Sequence, residues 1–115
     1  MKQFLFCLTI SLYGSILAVG QTTGTLTSHK FQSGGIERSY KYYHPLPGES
    51  RAPLVFVLHG YGGTADPKRF GMNPIADKYG FAVCYPQGEQ DKKGKNCWNV
   101  GYPFQADMTL SLIHI

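Results

Sequence analysis

The sequence predicts an α/β fold, and three observations carry that prediction. Leu54 to Leu58 is an unbroken apolar run with no alternation, the pattern of a strand covered on both faces. Met72, Ile75, Ala76 and Tyr79 then follow helical spacing. A second apolar run, Phe81 to Tyr85, follows and stops at Pro86. Strand, glycine turn, helix, strand is the alternation of a sheet flanked by helices.

The elements follow in chain order. The chain has 115 residues, so it holds one small domain at most. Lys2 gives a positive start, Phe4 to Val19 carries no charge, and Ala18-Val19-Gly20 is a small-x-small site. Residues 1–20 therefore read as a secretory signal peptide. The alternative is a membrane anchor, but the apolar run is short of the ~20 residues a span needs, and no positive stop-transfer cluster follows. Cleavage would leave no stable membrane anchor and would place the product outside the cell or in a periplasm. Thr25 to Phe31 alternates loosely, Gln32-Ser33-Gly34-Gly35 signals a turn, and Ile36 to His44 is rich in tyrosine. Together they predict an antiparallel hairpin, with Tyr40 and Tyr42 on one face beside Ile36 and Arg38, and Tyr43 on the other.

Pro45 to Pro53 reads as a loop. After the Leu54–Leu58 strand, Asp66-Pro67 marks a helix start, with Asp66 as cap and Pro67 at the first helical position, and Gly80 marks its stop. Gln87 to Phe104 reads as loop, with the single Trp98. The formal charge of +4 loses one unit with Lys2, and Asp91-Lys92-Lys93-Gly94-Lys95 holds much of the remainder. That glycine-broken run reads as a solvated loop; no basic helix supports nucleic-acid binding. His and Cys residues are scattered without ligand spacing, so neither a metal nor another cofactor is expected. Export would permit a Cys84–Cys97 disulfide, closing a loop of about a dozen residues and stabilising by roughly 3 kcal/mol in the chain-entropy account. The alternative is one buried strand thiol and one loop thiol.

The stretch Pro53-Leu-Val-Phe-Val-Leu-His-Gly-Tyr-Gly-Gly63 carries the candidate chemistry. Its glycines alone would make a plain tight turn. Ligands of open α/β sheets, however, bind at the carboxyl ends of strands. His-Gly-x-Gly after an apolar strand is a pattern that supplies backbone N–H groups to the oxyanion of acyl transfer.

Six segments in order carry a resemblance: Ile36–His44, Pro53–Gly63, Met72–Tyr79, Gly80-Phe-Ala-Val-Cys-Tyr-Pro-Gln-Gly88, Cys97-Trp-Asn-Val-Gly101 and Gln105-Ala-Asp-Met108. Over residues 28 to 108 the chain resembles the amino-terminal part of secreted polyhydroxybutyrate-depolymerase-like esterases, relatives of feruloyl and acetylxylan esterases. The resemblance implies the amino-terminal portion of an α/β-hydrolase sheet, with a Ser-Asp-His triad in the family. It also implies, as substrate, carboxylic esters on plant polysaccharide or polyester. It assigns the Tyr61 backbone N–H to the oxyanion hole and His59, Gly60 and Gly62 to the shape of that loop. Trp98 and Asn99 become candidate substrate contacts near the active-site face, with packing as the alternative for Trp98.

The nucleophile is not found. Ser28, Ser33, Ser39, Ser50 and Ser111 lie in no Gly-x-Ser-x-Gly elbow, and His29, His44 and His114 complete no triad with them. In the family the elbow follows Gln-Ala-Asp-Met. Here residues 109–115 read instead as a non-native tail resembling translated adapter DNA, the rival being an amphipathic end. The expected organisation is signal peptide 1–20, partial esterase domain 21–108 and tail 109–115, with no ester hydrolysis by the chain as written. The alternatives are a small secreted module binding carbohydrate or polymer through the tyrosine-rich hairpin and Trp98, or a peptidase of the same fold.

Overall fold

The computed structural model describes residues 23–45 and 51–108. The signal peptide, most of the Pro45–Pro53 loop and the 109–115 tail expected from the sequence lie outside the described residues.

β1 (Thr25–Ser33) and β2 (Ile36–His44) form the expected hairpin, in register from Thr25↔His44 to Ser33↔Ile36. Gly34 and Gly35 both take positive φ, 61° and 75°. Two successive left-handed residues make the tight turn whose twist suits a hairpin. β3 (Leu54–Phe56) is parallel to β4 (Ala82–Pro86), and β4 also pairs antiparallel with β2. The mixed sheet has the order β1-β2-β4-β3. The result is a small mixed sheet with helices on one face, compatible with part of an α/β domain.

The helical segment begins where the sequence predicts. Asp66 caps α1 (Pro67–Phe70), its carboxylate accepting from Lys68 N at 3.1 Å. α2 (Met72–Tyr79) ends at Gly80, φ 72°. The two helices are separated at Gly71, φ 62°, which caps α1 through its N–H to Pro67 O. α1 and α2 cover the face that carries Tyr43, Val83 and Tyr85; with Ala65 and Ala76 these form the core. Only part of the predicted helix stripe is buried: Ala76 is fully buried, whereas Ile75 and Tyr79 are exposed. The Tyr43 hydroxyl donates to the Asp77 carboxylate at 2.5 Å, and burial with that neighbour pushes its pKa up to about 12.

Two further expectations change. β3 is not covered on both faces: it lies at the sheet edge, with Leu54 48% and Phe56 62% exposed. The stretch after Gln87 is not all loop. β5 (Glu89–Gln90) and β6 (Asn96–Cys97) pair antiparallel, and a short 3₁₀ turn follows at Pro103–Gln105.

Candidate functional site

The site is built where β3 ends. One further ladder bond, Val57 N to Cys84 O at 2.9 Å, carries the strand toward His59. The chain then turns: Gly63 N donates to Gly60 O at 3.0 Å, and Gly62 takes φ 72°. A positive φ at the third position of a four-residue turn is the type II geometry, which glycine accommodates without strain. Tyr61 occupies the second position. The turn is strapped to β6 by Gly62 N to Asn96 O at 2.7 Å and by Asn96 Nδ2 to Gly63 O at 2.9 Å. The N–H groups of Gly62 and Gly63 are thus used by the fold. Among the described residues no acceptor meets the Tyr61 N–H.

His59 holds this turn from below. Its ring is buried, 3% exposed. Gly88 N donates to Nε2 at 3.0 Å. A backbone N–H can only donate, so Nε2 carries no proton. The proton is therefore on Nδ1, which donates to Gly60 O at 2.8 Å. Both ring nitrogens are committed to backbone, which fits a loop-shaping role and leaves no free lone pair for proton abstraction. Trp98 completes the clamp: its Nε1–H donates to His59 O at 2.8 Å, and the two rings lie 5.1 Å apart. The Gln87 amide bridges the same region, accepting from Ala65 N at 3.0 Å with its nitrogen 3.2 Å from His59 Nε2.

The approach at Gly88 is close. A Cβ there would lie 2.4 Å from Cys97 O and 3.1 Å from His59 Cε1. This is a position where only glycine fits, and sequence reading alone did not single it out. The only signal is a glycine directly after the second apolar strand and Pro86-Gln87.

The side chain of Tyr61 points to another centre. Its hydroxyl donates to Asp91 Oδ2 at 2.6 Å, while Asp91 Oδ1 accepts from Lys93 N at 2.8 Å and Lys95 N at 2.9 Å. The Asp91–Lys95 run is thus a folded hairpin turn organised around one carboxylate. The Tyr61 hydroxyl, then the backbone N–H groups, hold that carboxyl below the usual carboxylate range; the same bond pushes the Tyr61 phenol up.

Trp98 is 8% exposed and packs against the clamp, with one edge on an apolar cavity of about 400 Å³ beside Tyr40, Tyr42 and Phe56. Asn99 uses both ends of its amide in its own loop, Oδ1 accepting from Gly101 N and Nδ2 donating to Met108 O, each at 3.0 Å. The structure keeps Cys84 and Cys97 as separate buried thiols rather than the bridge considered from the sequence. Cys84 borders the apolar cavity, whereas Cys97 Sγ lies 3.5 Å from Met108 Sδ. Burial pushes both thiols up.

No serine hydroxyl bonds a histidine among the described residues. The hydroxyl–imidazole contact there, Thr27 Oγ1 to His29 Nε2 at 2.7 Å, lies on the exposed hairpin with His29 stacked on Tyr40. Among the same residues, no group of three or more His, Cys, Asp or Glu side chains is placed to hold a metal ion, and no helix is long and apolar enough to cross a membrane.

Two comparisons with known proteins bear on the family of the chain. The proposed esterase NocK of Nocardia uniformis subsp. tsuyamanensis is 38% identical over 71 residues, covering 56% of this chain and 20% of that protein. The chain thus spans about a fifth of the length of the relative it matches. The family described as esterase PHB depolymerase matches residues 38–105, from near the start of β2 through the 3₁₀ turn. The chain belongs to the PHB depolymerase family of esterases.

Proposed function

We propose that this chain is the oxyanion-bearing, amino-terminal part of a secreted serine esterase. Residues 1–20 direct export, and residues 21–108 form the first part of an α/β-hydrolase domain. In the longer protein a serine on a strand-to-helix elbow attacks the ester carbonyl, and water then hydrolyses the acyl-enzyme. The Tyr61 N–H donates to the oxygen on which negative charge builds. The substrate is a carboxylic ester on a polysaccharide or a polyester.

The observation that carries this reading is the Tyr61 N–H at the second position of a turn whose Gly62 and Gly63 N–H groups are engaged. A preorganised donor is valuable because it needs no rearrangement as charge develops; losing one costs about 2.7–4 kcal/mol of transition-state stabilisation. The chain spans about a fifth of the relative it matches and has no Gly-x-Ser-x-Gly elbow; both support a reading in which the attacking serine belongs to a longer protein. Alone, the 115-residue chain does not hydrolyse esters.

The test has two arms. The purified chain is assayed on short-chain and aromatic esters, and the coding DNA is re-read past the codon for Met108 from an independent clone. The expected results are no turnover, and a frame that continues to a Gly-x-Ser-x-Gly elbow. Turnover abolished by a serine-directed inhibitor in the short chain, or a frame without any such elbow, would contradict the reading.

A further inference from the structure

We infer that Tyr61, Phe104 and Tyr102 form a stacking subsite for a ring-bearing group of the ester substrate, beside the oxyanion turn. This deepens the esterase reading and rests on it. Tyr102 and Phe104 lie nearly parallel, 8° apart with centroids at 5.6 Å. Tyr61 stands edge-on to Phe104, at 89° and 6.4 Å. The three rings are 57%, 54% and 59% exposed for Tyr61, Phe104 and Tyr102. The three rings adjoin one another and form one contiguous aromatic face of the described residues, beside the turn that carries the Tyr61 N–H.

The rings are also held in place before any ligand arrives. The Tyr61 hydroxyl is fixed on Asp91 at 2.6 Å. The loop carrying the other two is pinned by Gln105, which is 2% exposed; its Nε2 donates to Trp98 O at 2.8 Å and its Oε1 accepts from Val100 N at 3.0 Å. Gln105 N donates to Tyr102 O at 2.9 Å, setting the spacing of Tyr102 and Phe104. Rings ordered in advance lose little entropy on binding. Phe104 further borders a cavity of about 540 Å³ whose polar rim includes the Arg38–Glu89 ion pair and Asp91. An apolar stack beside a polar rim suits a ring with a flat face and hydroxyl-bearing edges. A pyranose and a phenolic acyl ring share that chemistry. The placement is economical, since Tyr61 would supply both a ring to the substrate and the N–H to its carbonyl.

The test is binding, which requires no nucleophile. The folded chain is titrated with xylotriose, with methyl ferulate and with methyl 3-hydroxybutyrate, following the Tyr61, Tyr102 and Phe104 resonances by NMR. At least one ring-bearing probe is expected to shift all three residues, and methyl 3-hydroxybutyrate is expected to bind more weakly. Tyr102→Ala should weaken the ring probe about three- to tenfold, with Tyr102→Phe restoring it. A response to xylotriose alone assigns the subsite to a sugar chain, and one to methyl ferulate alone to an aryl acyl group. The inference fails if neither ring probe shifts these residues, if the ringless ester binds as tightly, or if Tyr102→Ala leaves affinity unchanged. Failure here leaves the esterase reading standing with its specificity elsewhere. Stacking without any downstream elbow would leave a ring-binding surface with no ester chemistry.

Discussion

Replacing His59 by alanine tests the clamp beneath the turn. The substitution deletes the acceptor for Gly88 N and the donor to Gly60 O. Each bond is worth roughly 1 kcal/mol net, and up to about 3 kcal/mol where a buried partner is left unsatisfied. Removing a ring that is 3% exposed and packed on Trp98 adds about 1–2 kcal/mol of lost contact. The expected loss is about 3–5 kcal/mol, a large fraction of a small domain's stability. With a urea slope near 1.5 kcal/mol/M, the unfolding midpoint falls by roughly 2–3 M. Two conservative variants divide the effect. Asn at this position reaches where Nδ1 lies and can donate to Gly60 O, whereas Gln reaches where Nε2 lies and can accept from Gly88 N. Each should recover about half of the loss, through one bond. A midpoint within about 0.5 M of wild type for His59→Ala would refute the clamp and reopen a catalytic role for the imidazole.

Further outcomes follow from the same geometry. Gly88→Ala drives a Cβ to 2.4 Å from Cys97 O, so β6 must shift; a cost of about 1–3 kcal/mol or more is expected in urea unfolding. Tyr61→Pro suits the second position of a type II turn and deletes the N–H. Compared with Tyr61→Ala, it should be neutral or stabilise by up to about 1 kcal/mol, yet in an active longer protein it should lower kcat by about 10²–10³ relative to that variant. Asp91 is held below the usual carboxylate range by its hydrogen bonds. Its contribution is therefore present above the unfolded-state value of about 4 and is lost as pH falls through the folded-state value. Wild type should exceed Asp91→Asn in stability at neutral pH, and acid titration followed by circular dichroism should show the gap closing below about pH 4.

Local chemistry was legible in the sequence, and long-range neighbours were not. The hairpin follows from two adjacent glycines between alternating runs, and the helix start from Asp66-Pro67; those signals act within a few residues. The break at Gly71 was hidden because the capping pair Asp66-Pro67 lies before it and the apolar stripe Met72, Ile75, Ala76 and Tyr79 wholly after it, so neither signal tests the join between them. The exposure of Leu54 and Phe56 was hidden for a different reason. An apolar run reports what a strand's side chains favour, and burial depends on which elements lie beside it. The β5–β6 hairpin has two residues in each strand, too few to show a period, and its turn was masked by a lysine-rich run that reads as solvated. For the site, the His-Gly-Tyr-Gly-Gly turn was found by pattern. Its supports, Gly88, Gln87, Asn96 and Asp91, come from later segments and are joined to it only by folding.

The most direct test is amide hydrogen exchange at the turn, read residue by residue by NMR on the folded chain. The Gly62 and Gly63 N–H groups, bonded to Asn96 O and Gly60 O, should be protected, while Tyr61 N–H should exchange near its unstructured rate. That result would place an unspent donor where the oxyanion reading requires one. Tyr61 protected as strongly as Gly62 would mean the fold already uses that N–H, and the assignment of the turn to ester chemistry would be wrong.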